Sequence, residues 1–243
     1  MVMISICIPC YNAEEYVQKC YKVLRKMLRS YSDYEIIFSQ DGSRDNTEKI
    51  LFRIARKDKK VIVISYPHRR GKGFGIKNCI KVASGEYLIL YDVDCPVHAK
   101  YIRKMVELAQ ANHSDIVLAR RKFLNYPLIR KIASRVYLLL TKLLFHHPFK
   151  DLQAGFKLMR RDILGGMELK CDGFIIDTEI VIKAMRKGAK ISEMEVPWMY
   201  RGKSSTITKN FLRVSIQMFI DLVKLWKEVT FGNKFIMKPS PYS

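Results

Sequence analysis

Over its first 120 residues the chain alternates short apolar runs with longer segments whose apolar positions recur three and four apart. The runs at 2–8, 35–39, 61–65, 87–91 and 115–119 predict strands, and the segments at 14–28, 45–57, 75–83 and 99–111 predict the helices between them. Asp45 and Glu48 stand at the spacing of a capping box for the second helix. Strands alternating with helices imply an α/β fold, with a mostly parallel central sheet and helices on both faces. Ligands of such sheets bind beyond the carboxyl ends of the strands. The unusual residues fall there: Pro9-Cys10-Tyr11-Asn12, Gln40-Asp41-Gly42-Ser43, residues 68–75, and Asp92-Val93-Asp94.

Beyond residue 120 the pattern changes. On a helical wheel, Arg130, Lys131, Ser134, Arg135, Thr141 and Lys142 of segment 128–145 fall within about 140° of arc, and most of the remaining circumference is apolar. Segment 211–226 likewise gathers Arg213, Gln217, Asp221 and Lys224 on one side. Two readings are open: helices packed on the sheet, or amphipathic interfacial helices whose apolar faces enter a membrane surface while basic residues meet lipid phosphate. The sequence has no uninterrupted apolar stretch of about 18 residues, so no transmembrane segment is expected. Nor is a signal peptide, since Met1-Val2-Met3-Ile4 leads straight into the first strand.

Composition adds a partner class. A chain of 243 residues with 49% hydrophobic content suits one α/β domain plus a terminal extension. Lys and Arg number 44 against 23 Asp and Glu, a net charge of +21 that must face something anionic. A nucleic-acid binder would spread its cations along a groove with aromatics between them. Here they concentrate on the amphipathic segments and beside a glycine-rich turn, so no nucleic acid is expected as a partner. The six cysteines lack the paired spacing of a zinc site, which fits a reduced, cytoplasmic chain.

The chemistry begins at YLILYDVDCP. Asp92 and Asp94 leave the end of a strand on the same side, and two like charges so placed call for a cation. An all-oxygen pair suits Mg²⁺ or Mn²⁺, which in turn suit phosphates. In the stretch Arg69-Arg70-Gly71-Lys72-Gly73-Phe74-Gly75, three glycines permit close backbone approach and three cations suit a diphosphate, although neither a Walker loop nor a dinucleotide fingerprint is present. Asp177 and Glu179 sit where a helix opens, either as helix-end charge or as a base.

Seven segments in order, ICIPCYNAEEYV, EIIFSQDGSRDNT, RRGKGFGIKNC, YDVDCP, DLQAGFKLMRRD, GFIIDTEI and VPWMYRGKSS, make the chain resemble a family-two glycosyltransferase of GT-A fold from about residue 4 to 208. Within that family it is similar to the polyprenyl-phosphate sugar synthases, both dolichyl-phosphate glucosyltransferases and mannose synthases. The resemblance implies a GT-A domain at 1–208, with a nucleotide-sugar half at 1–120 and an acceptor half at 121–208, followed by an amphipathic helix and tail at 209–243. It places Pro9, Tyr11, Asn12, Glu14, Asp41, Arg70, Lys72, Asp92, Val93 and Asp94 at the nucleotide sugar, and Asp92 and Asp94 on the metal. Pro96 stands where some mannose synthases have a further metal ligand. Arg120, Arg121, Arg130, Arg201 and Lys203 are the candidate cations for an acceptor phosphate, with Gln153 and Ser204 in the segments that line the acceptor side in relatives. The implied activity is metal-dependent, inverting transfer of a hexose, glucose from UDP-glucose before mannose from GDP-mannose, to polyprenyl or dolichyl phosphate at the cytoplasmic membrane surface. A saccharide or glycolipid hydroxyl as acceptor instead needs a base, Asp151 or Asp177, whereas a phosphate monoester is already largely dianionic at neutral pH. Relatives often carry transmembrane helices, which leaves room for a separate membrane-anchoring subunit.

Overall fold

A computed structural model describes residues 2–124, 127–199 and 211–232. Seven strands, β1 (Ile4–Cys10), β2 (Tyr34–Asp41), β3 (Val61–Tyr66), β4 (Tyr87–Leu90), β5 (Ile116–Leu124), β6 (Lys157–Arg160) and β7 (Ile191–Met199), form one sheet in the order β3-β2-β1-β4-β6-β5-β7. The helices are α1 (Glu14–Leu28), α2 (Thr47–Lys57), α3 (Lys72–Val82), α4 (Lys100–Ala111), α5 (Leu128–Phe145), α6 (Arg161–Leu164), α7 (Ile176–Arg186) and α8 (Phe211–Phe231). Strand pairing is parallel except around β6, which runs antiparallel to both β4 and β5. The expectation of a mostly parallel sheet covered on both faces therefore holds.

Strand alternation sorts the core into two layers. Ile4, Ile6 and Ile8 of β1 pack on the face covered by α1, α2 and α4, with Val17, Leu51 and Ile102. Cys7, Leu88 and Leu90 turn to the other face, against Ile76 of α3, Ile180 of α7 and Leu222 of α8. Since successive strand residues point to opposite faces, a short strand buried on both sides must be apolar throughout, as β4 is.

The structure departs from the sequence expectations in three places. The capping box does not form: Asp45 accepts from Thr47 N and Oγ1 at 3.0 and 2.5 Å, while Glu48 turns outward to Ser65. The third helix starts at Lys72 instead of residue 75, because Gly71 at φ 125° makes the turn and the glycines that follow enter the helix. The second half of the chain adds β6 and β7 to the same sheet, strands that periodicity did not mark, whereas α7 does open beside Asp177 as expected.

Helix α7 carries polar side chains through the core, and each is partnered. Lys183, 1% exposed, donates to Glu179 Oε1 at 2.6 Å, to the Glu168 carbonyl at 2.6 Å and to Glu228 Oε1 of α8 at 2.9 Å. Glu179 in turn accepts from the backbone of Lys170 and Cys171 at 2.8 and 2.9 Å. These bonds fasten α8 and the 170–173 segment to the sheet together with buried Leu222, Leu225 and Val229. Lys183→Ala leaves buried Glu179 without a cation and Glu228 with Lys170 alone, and is expected to cost about 3–5 kcal/mol in urea unfolding. A loss below about 1 kcal/mol would show that apolar contact alone holds α8.

Candidate active site

The sheet order reverses between β1 and β4, and at their carboxyl ends lies a cavity of about 640 Å³. Asp92, Val93 and Asp94 enter it from the turn after β4, all half-buried. Lys72, in the first turn of α3, reaches in from the other side, its Nζ 3.4 Å from Asp92 Oδ1. The same ammonium donates to Asp177 Oδ2 at 3.0 Å, and Lys157 donates to Asp177 Oδ1 at 2.8 Å. Lys157 is fully buried and also donates to the Ala154 carbonyl. Burial pushes the Asp177 carboxyl up, but Lys157 and Lys72 outweigh it and hold the group below the usual carboxylate range. Burial likewise opposes the charge on Lys72, and Asp177 and Asp92 more than restore it, so its pKa lies above that of an ordinary lysine.

The antiparallel course of β6 builds this cluster. Lys157, its first residue, pairs with Leu90, the last of β4, so the chain just before β6 passes behind Asp92. A Cβ built at Gly155 would fall on both Asp92 carboxylate oxygens, far inside contact distance. Only a glycine lets backbone and carboxylate lie so close. Among the described residues no three His, Cys, Asp or Glu side chains gather as a metal cage. The donor set of Asp92 and Asp94 nevertheless fits Mg²⁺ or Mn²⁺, since Mg²⁺ takes one or two carboxylates and fills its shell with water and substrate phosphate.

Of the residues expected at the nucleotide sugar, Pro9, Tyr11, Asn12, Asp41, Lys72 and Val93 also line the cavity. The Arg69 guanidinium lies 4.0 Å from the Tyr11 ring centroid. Asp41 accepts from the backbone N–H of Arg70 at 2.8 Å and of Gly71 at 2.7 Å, which holds the glycine-rich turn in place. Two expected residues lie elsewhere. Glu14 accepts from Asn46 N and Nδ2 at 2.9 Å and ties the first βα loop to the second. Arg70 stacks on Phe74, 4.1 Å from its ring centroid, and Arg69 lines the cavity instead. The glycines also serve another purpose than foreseen. The Asp172 carbonyl accepts from Gly73 N at 2.8 Å and Phe74 N at 3.3 Å, and a Cβ at Gly71 or Gly73 would collide with the 171–173 backbone. The close approach is thus to the protein's own chain.

Of the residues expected at the acceptor, Arg130 and Gln153 line the cavity, together with Ser134 and Tyr137 of α5 and Arg121. Arg121 binds Asp151 in a fork, with nitrogen–oxygen distances of 2.6 and 3.0 Å, so that both oxygens of Asp151 are engaged. Arg120 points to the other face of β5 and pairs with Glu195 at 2.5 Å. Arg201, Lys203 and Ser204 lie outside the described residues. Farther out the lining turns apolar, with Val136 and Leu140 of α5 opposite Val214, Met218, Phe219 and Leu222 of α8.

Helix α5 is inverted relative to an ordinary surface helix. Its polar residues Arg130 and Ser134 face the cavity and Thr141 is buried, while Leu128, Ile132, Leu139 and Leu143 stand between 49% and 72% exposed. Lys131, Arg135 and Lys142 flank that apolar stripe in solvent. Leu212, Ile216 and Ile220 of α8 are exposed as well. No helix among the described residues is long and apolar enough to cross a membrane.

Sequence reasoning gave no role of their own to Gly155 and Lys157. Both stood in the quoted DLQAGFK segment but carried no separate signal, because their importance arises from a strand only four residues long.

Comparison with known proteins follows the same geometry. The model of the family Glycosyl transferase family 2 matches residues 5–166. An uncharacterized protein of Methanocaldococcus jannaschii is 31% identical, covering 89% of this chain and 97% of its own length. Dolichyl-phosphate beta-glucosyltransferase ALG5D of Trichomonas vaginalis is 26% identical over 92% of this chain and 73% of its own. Glycosyltransferase AglD of Haloferax volcanii is 24% identical over 94% of this chain, which spans only 38% of AglD. Among solved structures, glucosyl-3-phosphoglycerate synthase from Mycobacterium tuberculosis, in complex with Mn²⁺, UDP and glucosyl-3-phosphoglycerate, superposes with a TM-score of 0.74 at 16% identity, covering 92% of this chain and 80% of its own. The shared architecture is the GT-A fold.

Gly155→Ala is expected to push Asp92 aside and weaken Mn²⁺ binding about tenfold or more with the fold retained. Electron paramagnetic resonance titration beside circular dichroism reads both, and unchanged Mn²⁺ affinity would remove Gly155 from the site.

Proposed function

Because the chain belongs to glycosyl transferase family 2, we propose that it transfers a hexose, glucose from UDP-glucose in the first instance, to the phosphate of a polyprenyl lipid while resting on a membrane surface. The observation that carries the reading is the two-ended cavity. A charged end holds Asp92, Asp94, Lys72 and Arg130, and an apolar outlet leads between α5 and α8 to helix faces that are themselves apolar and rimmed with cations. A lipid phosphate has that same division into anionic head and apolar tail. The Trichomonas relatives, named as dolichyl-phosphate beta-glucosyltransferases, support both the glucose and the lipid.

The mechanism is a single in-line displacement that inverts the anomeric centre. Tyr11, Asn12 and Asp41 receive the nucleoside, and Lys72 lies beside the diphosphate. Asp92 and Asp94 would hold a divalent ion, whose chemistry there would be Lewis-acid neutralisation of that diphosphate. Arg130 and Ser134, with Gln153 beside them, hold the acceptor phosphate in line with the anomeric carbon. No carboxylate is needed as base. Both oxygens of Asp151 are engaged by Arg121, and Asp177 is held ionised between two ammonium groups inside the protein.

Turnover with UDP- and GDP-sugars, polyprenyl phosphate and Mn²⁺ tests the assignment. Wild type is expected to transfer glucose from UDP-glucose, and Asp94→Ala to lose at least about a hundredfold in kcat while staying folded. Mannose transfer from GDP-mannose alone would change the donor, and transfer only to a glycolipid hydroxyl would overturn the acceptor. Leu139→Asp with Leu143→Asp should release the protein from anionic vesicles in flotation; unchanged flotation would place the membrane contact elsewhere.

The pH profile separates phosphate from hydroxyl chemistry. With its pKa below the usual carboxylate value, Asp177 stays charged as pH falls and adds no acid limb to kcat/KM between about pH 5 and 8. The limb expected there is that of the acceptor, near pH 6, where a phosphate monoester takes up its second proton. A limb that moved on Asp177→Glu while the acceptor stayed the same would mark Asp177 as a base.

A further inference from the structure

We propose that Lys72 is the resident cation of Asp92, held there in competition with a divalent ion, and that the buried pair Asp177 and Lys157 positions it for release. The inference deepens the reading of the site as one for a nucleoside diphosphate and rests on it.

The ammonium of Lys72 lies between two carboxylates, 3.4 Å from Asp92 Oδ1 and 3.0 Å from Asp177 Oδ2. Its backbone is fixed. Gly71 at φ 125° sets the turn, Asp41 accepts the N–H groups just before it, and the Asp172 carbonyl accepts those just after. Side-chain rotation is therefore the freedom left to Lys72. A divalent ion on Asp92 must face or displace this ammonium, because both seek the same oxygen.

Lys157 determines whether Lys72 can leave. Asp177 is 2% exposed, and a carboxylate so buried demands a counter-ion. Lys157 already supplies one to Oδ1, with no exposure to solvent. Lys72 is thus the second cation on Asp177, and moving it toward a diphosphate still leaves the buried charge paired. Without Lys157, Lys72 would be the sole counter-ion and would be drawn wholly onto Asp177, away from both Asp92 and the diphosphate. Lys157 in this account is a positioning residue that acts through Asp177 and touches neither substrate nor metal.

Two consequences follow from mass action. Mn²⁺ alone binds weakly, since it competes with an ammonium already in place. A nucleoside diphosphate offers that ammonium another partner, so Mn²⁺ and nucleotide strengthen each other's binding by the same factor.

The test is an electron paramagnetic resonance titration of Mn²⁺ into the full chain, with and without UDP, for wild type, Lys72→Met and Lys157→Met. Lys72→Met is expected to bind Mn²⁺ alone about fivefold tighter, the size of an ion pair near solvent that no longer competes. The strengthening of Mn²⁺ binding by UDP should shrink together with UDP affinity. Lys157→Met, with the ammonium of Lys72 still present, should reproduce both changes, which a merely structural role would not do. If Lys157→Met fails to fold, Lys72→Met decides alone. Unchanged or weaker Mn²⁺ binding by Lys72→Met, in a protein that binds UDP, overturns the inference and leaves the proposed function standing. Tighter Mn²⁺ binding by Lys72→Met supports the inference even where no sugar is transferred, so the two readings fail separately.

Discussion

A single buried carboxylate ties the site to the fold. Asp177 stands at the head of α7 inside the protein, and it is tolerable there because Lys157 and Lys72 each give one of its oxygens an ammonium donor. Those donors come from the start of β6 and the start of α3, so the ion cluster fixes three elements that sequence places far apart. Lys157 can serve only because β6 enters antiparallel and begins where β4 ends. The same reversal brings Gly155 against Asp92. The position of Asp92 and that of the buried counter-ion Lys157 are therefore both set by one strand direction.

This arrangement bears on the acceptor. Hydroxyl acceptors need a proton removed as the bond forms, and the natural agent is a carboxylate with a pKa brought up toward neutrality. Of the two carboxylates named for that role, Asp177 is driven the other way by its two lysines, and Asp151 has both oxygens engaged by Arg121. An acceptor that arrives already ionised asks instead for cations and shape. In the proposed reading Arg130 on the inner face of α5 provides the first, and the outlet toward α8 provides the second.

Much of the site was legible because strand ends in an alternating α/β chain are predictable, and Asp92 and Asp94 announce themselves by charge and spacing. The errors have a common physical origin. Arg69 and Arg70 are adjacent, as are Arg120 and Arg121, and sequence gives no way to choose which of two neighbours faces the cavity. Pairing decides it: Arg121 lies at the β5 position opposite Val196 and reaches Asp151, whereas Arg120 lies opposite Glu195 and pairs with it. The second half of the chain was harder still. Helix α7 is buried on nearly all sides and shows no polar stripe to reveal its period, and β6 is four residues long and opens with a lysine. The glycine-rich turn was visible, yet its partner, the Asp172 carbonyl, lies about a hundred residues away in a segment with no motif.

The charge of +21 alone was compatible with several partners, and the orientation of α5 is what separates them. An ordinary surface helix turns its polar side to water and its apolar side inward. Here Arg130 and Ser134 face an internal cavity, and Leu128, Ile132, Leu139 and Leu143 face out. Nucleic acid would leave such a stripe uncovered, since phosphate backbones reward cations and stacking platforms and not aliphatic side chains. A lipid surface meets both features at once, with acyl chains against the leucines and phosphates against Lys131, Arg135 and Lys142. Because one helix carries the cavity lining on one side and the apolar stripe on the other, an acceptor whose phosphate reached Arg130 would have its tail beside the face proposed to meet lipid. Surface and site are then two sides of the same eighteen-residue helix.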